Sequence, residues 1–313
     1  MMMNEPFNNR RRNLIKALLA LGFSGSALSG LLQAATQDKI LKTIPSSGEQ
    51  LPAMGVGTSR TFDALHDAEL MQQLSQVMQS FFDHGGSLVD SSPMYGSAQA
   101  VTGKLLEQVQ GKQALFAATK VWVDGRQAGI DQMERSRQLW GIKRFDLMQI
   151  HNLRDWKVHL QTLKAMKAEG RIRYLGITTS HGRYHDELET LLKTHPFDFV
   201  QFSYNIANRE IEKRLLPIAM DRGIATIINR PYQRGDLFRQ VKGKPLPNWA
   251  GEIDVTSWGQ FFLKFILSHP GVTCAIPATS KVKHMVDNMA AQFGRLPDDK
   301  MRMGMIRYFG SLA

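Results

Sequence analysis

Four side chains capable of proton transfer recur at one kind of position in this chain. Asp90, Tyr95, Lys120 and His151 lie at, or shortly after, the end of three short apolar runs, 87–90, 115–120 and 145–151. Each run reads as a β-strand. A carboxylate, a phenol, an ammonium and an imidazole at the same end of consecutive strands meet at one mouth if the strands are parallel neighbours. Such a set can protonate a carbonyl oxygen while another species delivers hydride. Taken singly, each residue has an ordinary structural use: the Asp caps a helix, the Lys is paired, the His satisfies a backbone carbonyl. Four of them from three consecutive strands point to a site.

The elements that must position them alternate after residue 40. Strands are expected near 54–58, 87–91, 115–121, 145–151, 174–178, 198–204, 224–229 and 272–277. Amphipathic stretches lie between them. Asp67 to Asp83 places Leu70, Leu74, Val77, Met78 and Phe81 on one face at helical spacing. Trp156 to Glu169 does the same with Val158, Leu160, Leu163 and Met166, and Gly170 follows as a stop signal. Eight strands with intervening helices fit a single-domain (β/α)8 TIM barrel over residues 40–313 better than an open sheet. Pro231 to His269 is the longest gap; it reads as a large loop over the barrel mouth followed by a helix, Trp258–Leu267.

Of 313 residues, 43% are hydrophobic and 21% charged, which is enough apolar material for a sizeable core, and the net charge is +11. Arg10, Arg11, Arg12 and Lys16 against Glu5 account for only part of that charge. Beyond the N-terminus no Lys/Arg-dense run is interleaved with aromatics, so the basic balance points to a phosphate-bearing ligand rather than nucleic acid. The lone Cys274 permits neither an intramolecular disulfide nor a cysteine metal cluster.

Residues 1–35 have the layout of an export signal: a basic segment, a weakly apolar run and then Ala34-Ala35. Arg11-Arg12-Asn13-Leu14-Ile15-Lys16 resembles the twin-arginine (Tat) signal of bacteria. The resemblance implies the Tat translocase as a partner and the periplasm as destination, with a membrane anchor if the signal stays uncut. A disordered basic tail is the plainer alternative.

The rest of the chain resembles the aldo-keto reductase family. The resemblance rests on Asp90, the Tyr95-Gly96 pair and Gly103, on Thr119-Lys120-Val121-Trp122, on Gln149-Ile150-His151, and on Gly170 through Gly176. It continues through Gln201 to Tyr204 and through Ile276 to Ser280, followed by Asp287-Asn288. It implies NAD(P)H-dependent reduction of an aldehyde or ketone. Tyr95 would be the general acid, Lys120 would stabilise its phenolate and lower its pKa, Asp90 would hold Lys120, and His151 would orient the substrate oxygen. A small-molecule carbonyl compound is then the partner, and the chain is expected to work as a monomer or weak oligomer.

The cofactor side implied by the resemblance comprises Thr58, Thr178, Thr179, Gln201, Asn229, Arg230, Thr279, Ser280, Lys281, Lys283, His284, Asp287 and Asn288. It departs from the family pattern where Ser-Asn gives way to Thr178-Thr179, where an aromatic gives way to Asn229, and where basic residues give way to Ala278 and His284. The remaining Thr279, Ser280, Lys281 and Lys283 at a helix start favour NADP(H) over NAD(H). Phe62, Trp122, Tyr232 and Trp249 are expected to line the substrate pocket with Arg230. Two alternatives stand beside the reductase: a Schiff-base aldolase with Lys120 as nucleophile, and a non-catalytic nicotinamide-nucleotide sensor of the same fold.

Overall fold

The computed structural model describes residues 38–312. The expected signal segment, with Arg11 and Arg12, lies outside the described residues.

A short antiparallel hairpin comes first, β1 (Leu41–Thr43) and β2 (Gln50–Pro52). Eight parallel strands follow in chain order: β3 (Val56–Gly57), β4 (Leu88–Asp90), β5 (Phe116–Val121), β6 (Phe145–His151), β7 (Ile172–Thr178), β8 (Phe199–Ser203), β9 (Ala225–Asn229) and β10 (Cys274–Ala275). Each pairs with the next. The first and last also join, since the Gly55 N–H donates to the Ala275 carbonyl (2.9 Å), the Gly57 N–H to Pro277 (3.2 Å) and the Ala275 N–H to Ala53 (3.0 Å). The sheet therefore closes on itself as a barrel. All eight strands fall within two residues of the expected runs.

Helices alternate with the strands: α1 (Ala68–Asp83), α2 (Ala98–Gln108), α3 (Arg126–Trp140), α4 (Trp156–Ala168), α5 (His185–Thr194), α6 (Leu215–Asp221), α7 (Asp236–Gln240), α8 (Trp258–Leu267), α9 (Val282–Ala290) and α10 (Asp299–Gly310). The start of α1 shows why the pattern folds this way. Asp67 accepts the Leu70 N–H (2.9 Å) as an N-cap, and Leu74, Val77, Met78 and Phe81 are buried on one face. Gly103 in α2 is a packing requirement, because a Cβ there would lie 1.8 Å from the Leu139 carbonyl oxygen of α3.

Two apolar layers result. One lies inside the barrel around Leu88, Phe116, Leu147, Tyr174, Phe199 and Ile227, and it includes Ile44 and Leu51 of the hairpin. The other lies between strands and helices. The hairpin and α10 add to the expected elements. The segment after β9 is tied to the neighbouring helices. Trp249 packs on Phe261 and Tyr308, Trp258 donates to the Lys244 carbonyl (3.0 Å), and Tyr308 donates to that of Pro245 (3.0 Å). Aromatic burial thus fastens the segment to α8 and α10. Lys264, fully buried, donates to the carbonyls of Ile253, Phe293 and Arg295 and ties the same loops down.

Candidate active site

Asp90 closes β4, Lys120 stands near the end of β5, and His151 closes β6. Parallel register brings these three ends side by side, with Asp90 opposite Ala118 and Lys120 opposite Gln149. Lys120 Nζ lies 2.5 Å from Asp90 Oδ2 and donates to the Ser91 carbonyl (2.7 Å). The other carboxylate oxygen, Oδ1, accepts from Gln149 Nε2 (2.9 Å) and Gln201 Nε2 (3.1 Å). A buried ion pair persists when hydrogen bonds of this kind satisfy the remaining lone pairs. Lys120 Nζ sits 5.3 Å from the centroid of the Tyr95 ring, and that ring stands perpendicular to His151 with centroids 5.8 Å apart. All four expected residues therefore converge.

The turn carrying Tyr95 is locked from both sides. Its N–H donates to the Ser92 carbonyl (3.1 Å) and its own carbonyl accepts from Ala98 (3.1 Å). Gly96 takes φ +57°, and a Cβ there would lie 2.4 Å from Asp63 Oδ2. Asp63 in turn accepts the N–H (2.8 Å) and hydroxyl (2.7 Å) of Ser97, joining the loops after β3 and β4.

Burial pushes the Tyr95 phenol above its ordinary value. Lys120 pulls in the expected direction, downward, but burial outweighs it, and the phenol holds its proton at neutral pH. His151 is pushed down to about 2, first by burial and then by Lys120, so its imidazole is neutral. Ser92 Oγ accepts the Met94 N–H (3.4 Å) and lies 2.9 Å from His151 Nδ1. A hydroxyl can donate or accept there; donation to Nδ1 would leave the ring proton on Nε2.

The burial and pairing of Lys120 bear on the aldolase alternative. A Schiff-base nucleophile is a neutral, accessible amine, whereas Lys120 has no exposed surface and is held in an ion pair.

The residues expected to grip a nucleotide divide into two groups. Lys281, Lys283 and His284 are exposed at the start of α9, beside Ser280 and Thr279, whose hydroxyl accepts the Lys281 N–H (3.1 Å). No side chain caps this helix start. Uncapped N–H groups flanked by two lysines are a donor set that fits a phosphate. Thr178 and Thr179 are buried at the end of β7, and the Thr179 hydroxyl has no partner. Asn229 donates to the Thr179 carbonyl (3.1 Å) and to Gln201 Oε1 (3.4 Å), so these strand ends form one polar floor.

The second group is engaged within the protein instead. Thr58 donates to Ser91 Oγ (2.8 Å) and steadies the end of β4. Asp287 accepts from Ser257 (2.7 Å) and Gln260 (2.7 Å), and Asn288 accepts from the Tyr232 hydroxyl (2.6 Å). Helix packing claims these side chains because α9 lies against α8.

Among the expected pocket residues, Trp122 stands at the mouth, 6.5 Å from His151 between ring centroids, with the Arg154 guanidinium 4.7 Å above it. Phe62 has no exposed surface, and Tyr232 and Trp249 are half-buried. Tyr232 packs against Phe238 and Phe262, and Trp249 against Phe261.

Ser92 and Gln149 join the site without having been expected. Gln149 stands two residues before His151 on β6, so strand alternation puts both on one face, a signal open to sequence reading. Ser92, two residues after Asp90, offers no comparable signal.

The profile of the aldo/keto reductase family matches residues 53–304. Aldo-keto reductase YhdN of Bacillus subtilis is 23% identical over 208 residues; the match covers 62% of this chain and 62% of that relative's length. Probable aldo-keto reductase 1 of Glycine max is 21% identical over 305 residues, covering 82% of this chain and 85% of the relative. The aldo/keto reductase from Klebsiella pneumoniae solved in complex with NADP and acetate has the same fold, with TM-score 0.71 at 22% identity over 88% of this chain and 96% of that one. Glycerol dehydrogenase AKR11B4 from Gluconobacter oxydans aligns with TM-score 0.69 at 19% identity over 86% and 94%. The family profile spans most of the chain, including all four converging residues, and the chain belongs to the aldo/keto reductase family.

Proposed function

We propose that this protein reduces an aldehyde or ketone to an alcohol with NADP(H), and that Tyr95 is the general acid. The observation that carries the reading is the cluster of Asp90, Lys120, Tyr95 and His151 at one barrel mouth. The substrate oxygen sits between the Tyr95 hydroxyl and His151 Nε2–H. His151, neutral and protonated on Nε2, donates a hydrogen bond that orients the carbonyl. Tyr95 gives up its proton as negative charge develops on that oxygen. Lys120 stabilises the resulting phenolate, and Asp90, held by Gln149 and Gln201, keeps Lys120 in place.

A reduced nicotinamide supplies the hydride when bound. Lys281, Lys283 and the start of α9 would hold the 2′-phosphate, which favours NADP(H) over NAD(H). Relatives of the same fold from Klebsiella pneumoniae were solved with NADP and NADPH. Tyr95→Phe tests the assignment. Carbonyl reduction should fall by about 10²–10⁴-fold, while NADPH affinity, read by fluorescence, stays near that of the wild type. Equal turnover in the variant, on any carbonyl compound the wild type reduces, would remove Tyr95 from the role.

We also propose that residues 1–35 export the folded chain to the periplasm through the Tat translocase. Arg11-Arg12 and the low-hydrophobicity run broken by Gly22, Gly25 and Gly30 support this. Replacing both arginines with lysine keeps charge but removes the planar guanidinium pair. Cell fractionation should then find wild type in the periplasm and the double variant in the cytoplasm. Periplasmic protein in both would refute the Tat route.

A further inference from the structure

Four arginines sit on three mouth loops that the reduction mechanism leaves unused. Arg60 follows β3, Arg183 follows β7, and Arg230 and Arg234 follow β9, all at the strand end that holds the tetrad. Among the described residues, nine other arginines form ion pairs with carboxylates. These four form none, and neither do Arg126, Arg135, Arg144, Arg222 and Arg307; what distinguishes the four is their shared place on the loops after β3, β7 and β9. Asp236, whose field reaches Arg230, is already paired with Arg239.

The cations lie close enough to act on one another. Arg230 is pushed down to about 10, first by its own burial and then by Arg234, Arg183 and Arg60. His181 sets its Nε2 against the Arg230 guanidinium and is pushed down to about 4, first by burial and then by Arg230, Arg234 and Arg183. The backbone fixes this crowding. Arg60, His181, Arg230 and Arg234 have φ of 67°, 66°, 53° and 59°, the left-handed region that non-glycine residues enter rarely. Asn205 donates to the Arg230 carbonyl (3.2 Å), and the His181 N–H donates to Ser203 Oγ (3.2 Å). Like charges held at strained backbone positions destabilise a fold, and an anion seated among them offsets that cost.

Position decides which anion. Arg230 directly follows Asn229, whose amide reaches Gln201 (3.4 Å), and Gln201 in turn bonds Asp90 (3.1 Å), so the cluster borders the reacting centre. The nucleotide's 2′-phosphate has a separate donor set in Lys281, Lys283 and the start of α9; its pyrophosphate is the competing occupant, which the NADPH-affinity arm of the test separates. We infer that these arginines bind a carboxylate or phosphate carried by the carbonyl substrate itself, so that the substrate class is an anionic aldehyde or ketone. The inference deepens the reductase reading and rests on it.

The test compares matched substrates on the full-length protein with NADPH: 4-carboxybenzaldehyde against 4-methylbenzaldehyde, and glyceraldehyde 3-phosphate against glyceraldehyde. In each pair kcat/KM of wild type should favour the charged member by about thirtyfold, the worth of one or two charge-assisted hydrogen bonds. Arg183→Gln and Arg230→Gln should bring that ratio towards unity, chiefly through KM. Equal kcat/KM for charged and neutral members of both pairs would overturn the inference and leave the reductase standing. Lower NADPH affinity with an unchanged ratio would assign the arginines to the nucleotide and overturn it as well. Failure of wild type to reduce any of the four would strike the reductase reading. Calorimetric titration with terephthalate would then judge the anion site alone: binding lost in the Arg183→Gln/Arg230→Gln double variant upholds it, and no binding to wild type overturns it.

Discussion

The two ends of the barrel are built from the same strands and treat charge in opposite ways. At the amino end the β1–β2 hairpin inserts Ile44 and Leu51 into the layer formed by Phe116, Tyr174 and Phe199. The polar groups around it are satisfied: Arg173 pairs with Glu49 and with Asp146 (2.7 Å), Lys167 with Asp198 (2.7 Å), and the Tyr174 hydroxyl meets Ser47 (2.7 Å) and Glu49 (2.6 Å). A surface cavity of about 760 Å³ lies there too, lined by Pro45, Lys167, Asp198 and Gly223, yet its ion pair is complete. At the carboxyl end Arg60, Arg183, Arg230 and Arg234 lack carboxylate partners. The Thr179 hydroxyl and Gln149 Oε1 are buried without hydrogen bonds. Left-handed backbone recurs at Asn152, Leu153, Asp155, His181 and Arg230. Concavity does not tell the ends apart. Left-handed non-glycine backbone does, because a fold tolerates such strain chiefly where a ligand or a reaction uses it.

Lys120→Met should break the comparison most severely, because it removes the one charge at the carboxyl end that is both buried and paired. Asp90 would remain nine-tenths or more buried with no cation. Loss of one partner from such a pair costs roughly 3–5 kcal/mol, read as a lower urea midpoint. Turnover should fall at least about a hundredfold, since the Tyr95 phenolate loses its neighbouring charge. Wild-type turnover and stability in this variant would mean that the Asp90–Lys120 pair is dispensable to both.

Ser92→Ala sharpens the contrast with a smaller change. It removes the hydroxyl 2.9 Å from His151 Nδ1, the donor to that nitrogen in the proposed mechanism, and lets the ring proton redistribute between the nitrogens. One neutral hydrogen bond at this site corresponds to roughly a tenfold loss in kcat/KM. The signature is spectroscopic: ¹⁵N shifts of His151 should report the Nε2–H tautomer in wild type and a mixture in the variant. With the imidazole pushed down to about 2 by burial and Lys120, it stays neutral, and neither protein should show a histidine ionisation in kcat/KM between about pH 5 and 8. A wild-type ring protonated on Nδ1 would contradict the assignment, and a tautomer unchanged in Ser92→Ala would assign its control elsewhere.

What could be read without coordinates follows from the same contrast. The strand runs and the tetrad were legible because apolar runs recur at barrel spacing and because parallel strands send their ends to one place. The hairpin was not, since three-residue strands leave no alternation to count. Phe62, Tyr232 and Trp249 were read as pocket residues because an aromatic side chain suits a pocket and a core equally well. The packing of Tyr232 on Phe262 and of Trp249 on Phe261, and the Tyr232–Asn288 bond, needed the fold to be seen. For Asp287 and Asn288 the place after β10 is set by sequence, but the bonds to Ser257, Gln260 and Tyr232 depend on how α9 lies against α8. The arginine cluster was hidden because it is assembled from three loops, and Arg230 alone gave no sign of Arg60, Arg183 and Arg234.

The smallest expected effect is at the amino end, and it tests whether the ends are independent. Arg173 bridges Glu49 of the hairpin and Asp146 of β6, with about a third of its side chain exposed. Solvent screens such pairs, and each contributes about 0–1 kcal/mol. Asp146 also keeps the Ala117 N–H (2.7 Å) when the arginine is gone, so no buried carboxylate is stranded. Arg173→Gln should therefore lower stability by about 1 kcal/mol, seen as a small drop in urea midpoint. Values of kcat and KM, and the preference for charged substrates, should remain those of wild type, because no hydrogen bond of Arg173 reaches the mouth and the barrel interior between the two ends is filled by Leu147, Phe199 and Ile227. A change in KM or kcat beyond about twofold, a free-energy difference of about 0.4 kcal/mol, would show that the hairpin end is coupled to the mouth, and the division between scaffold and reactive end would have to be given up.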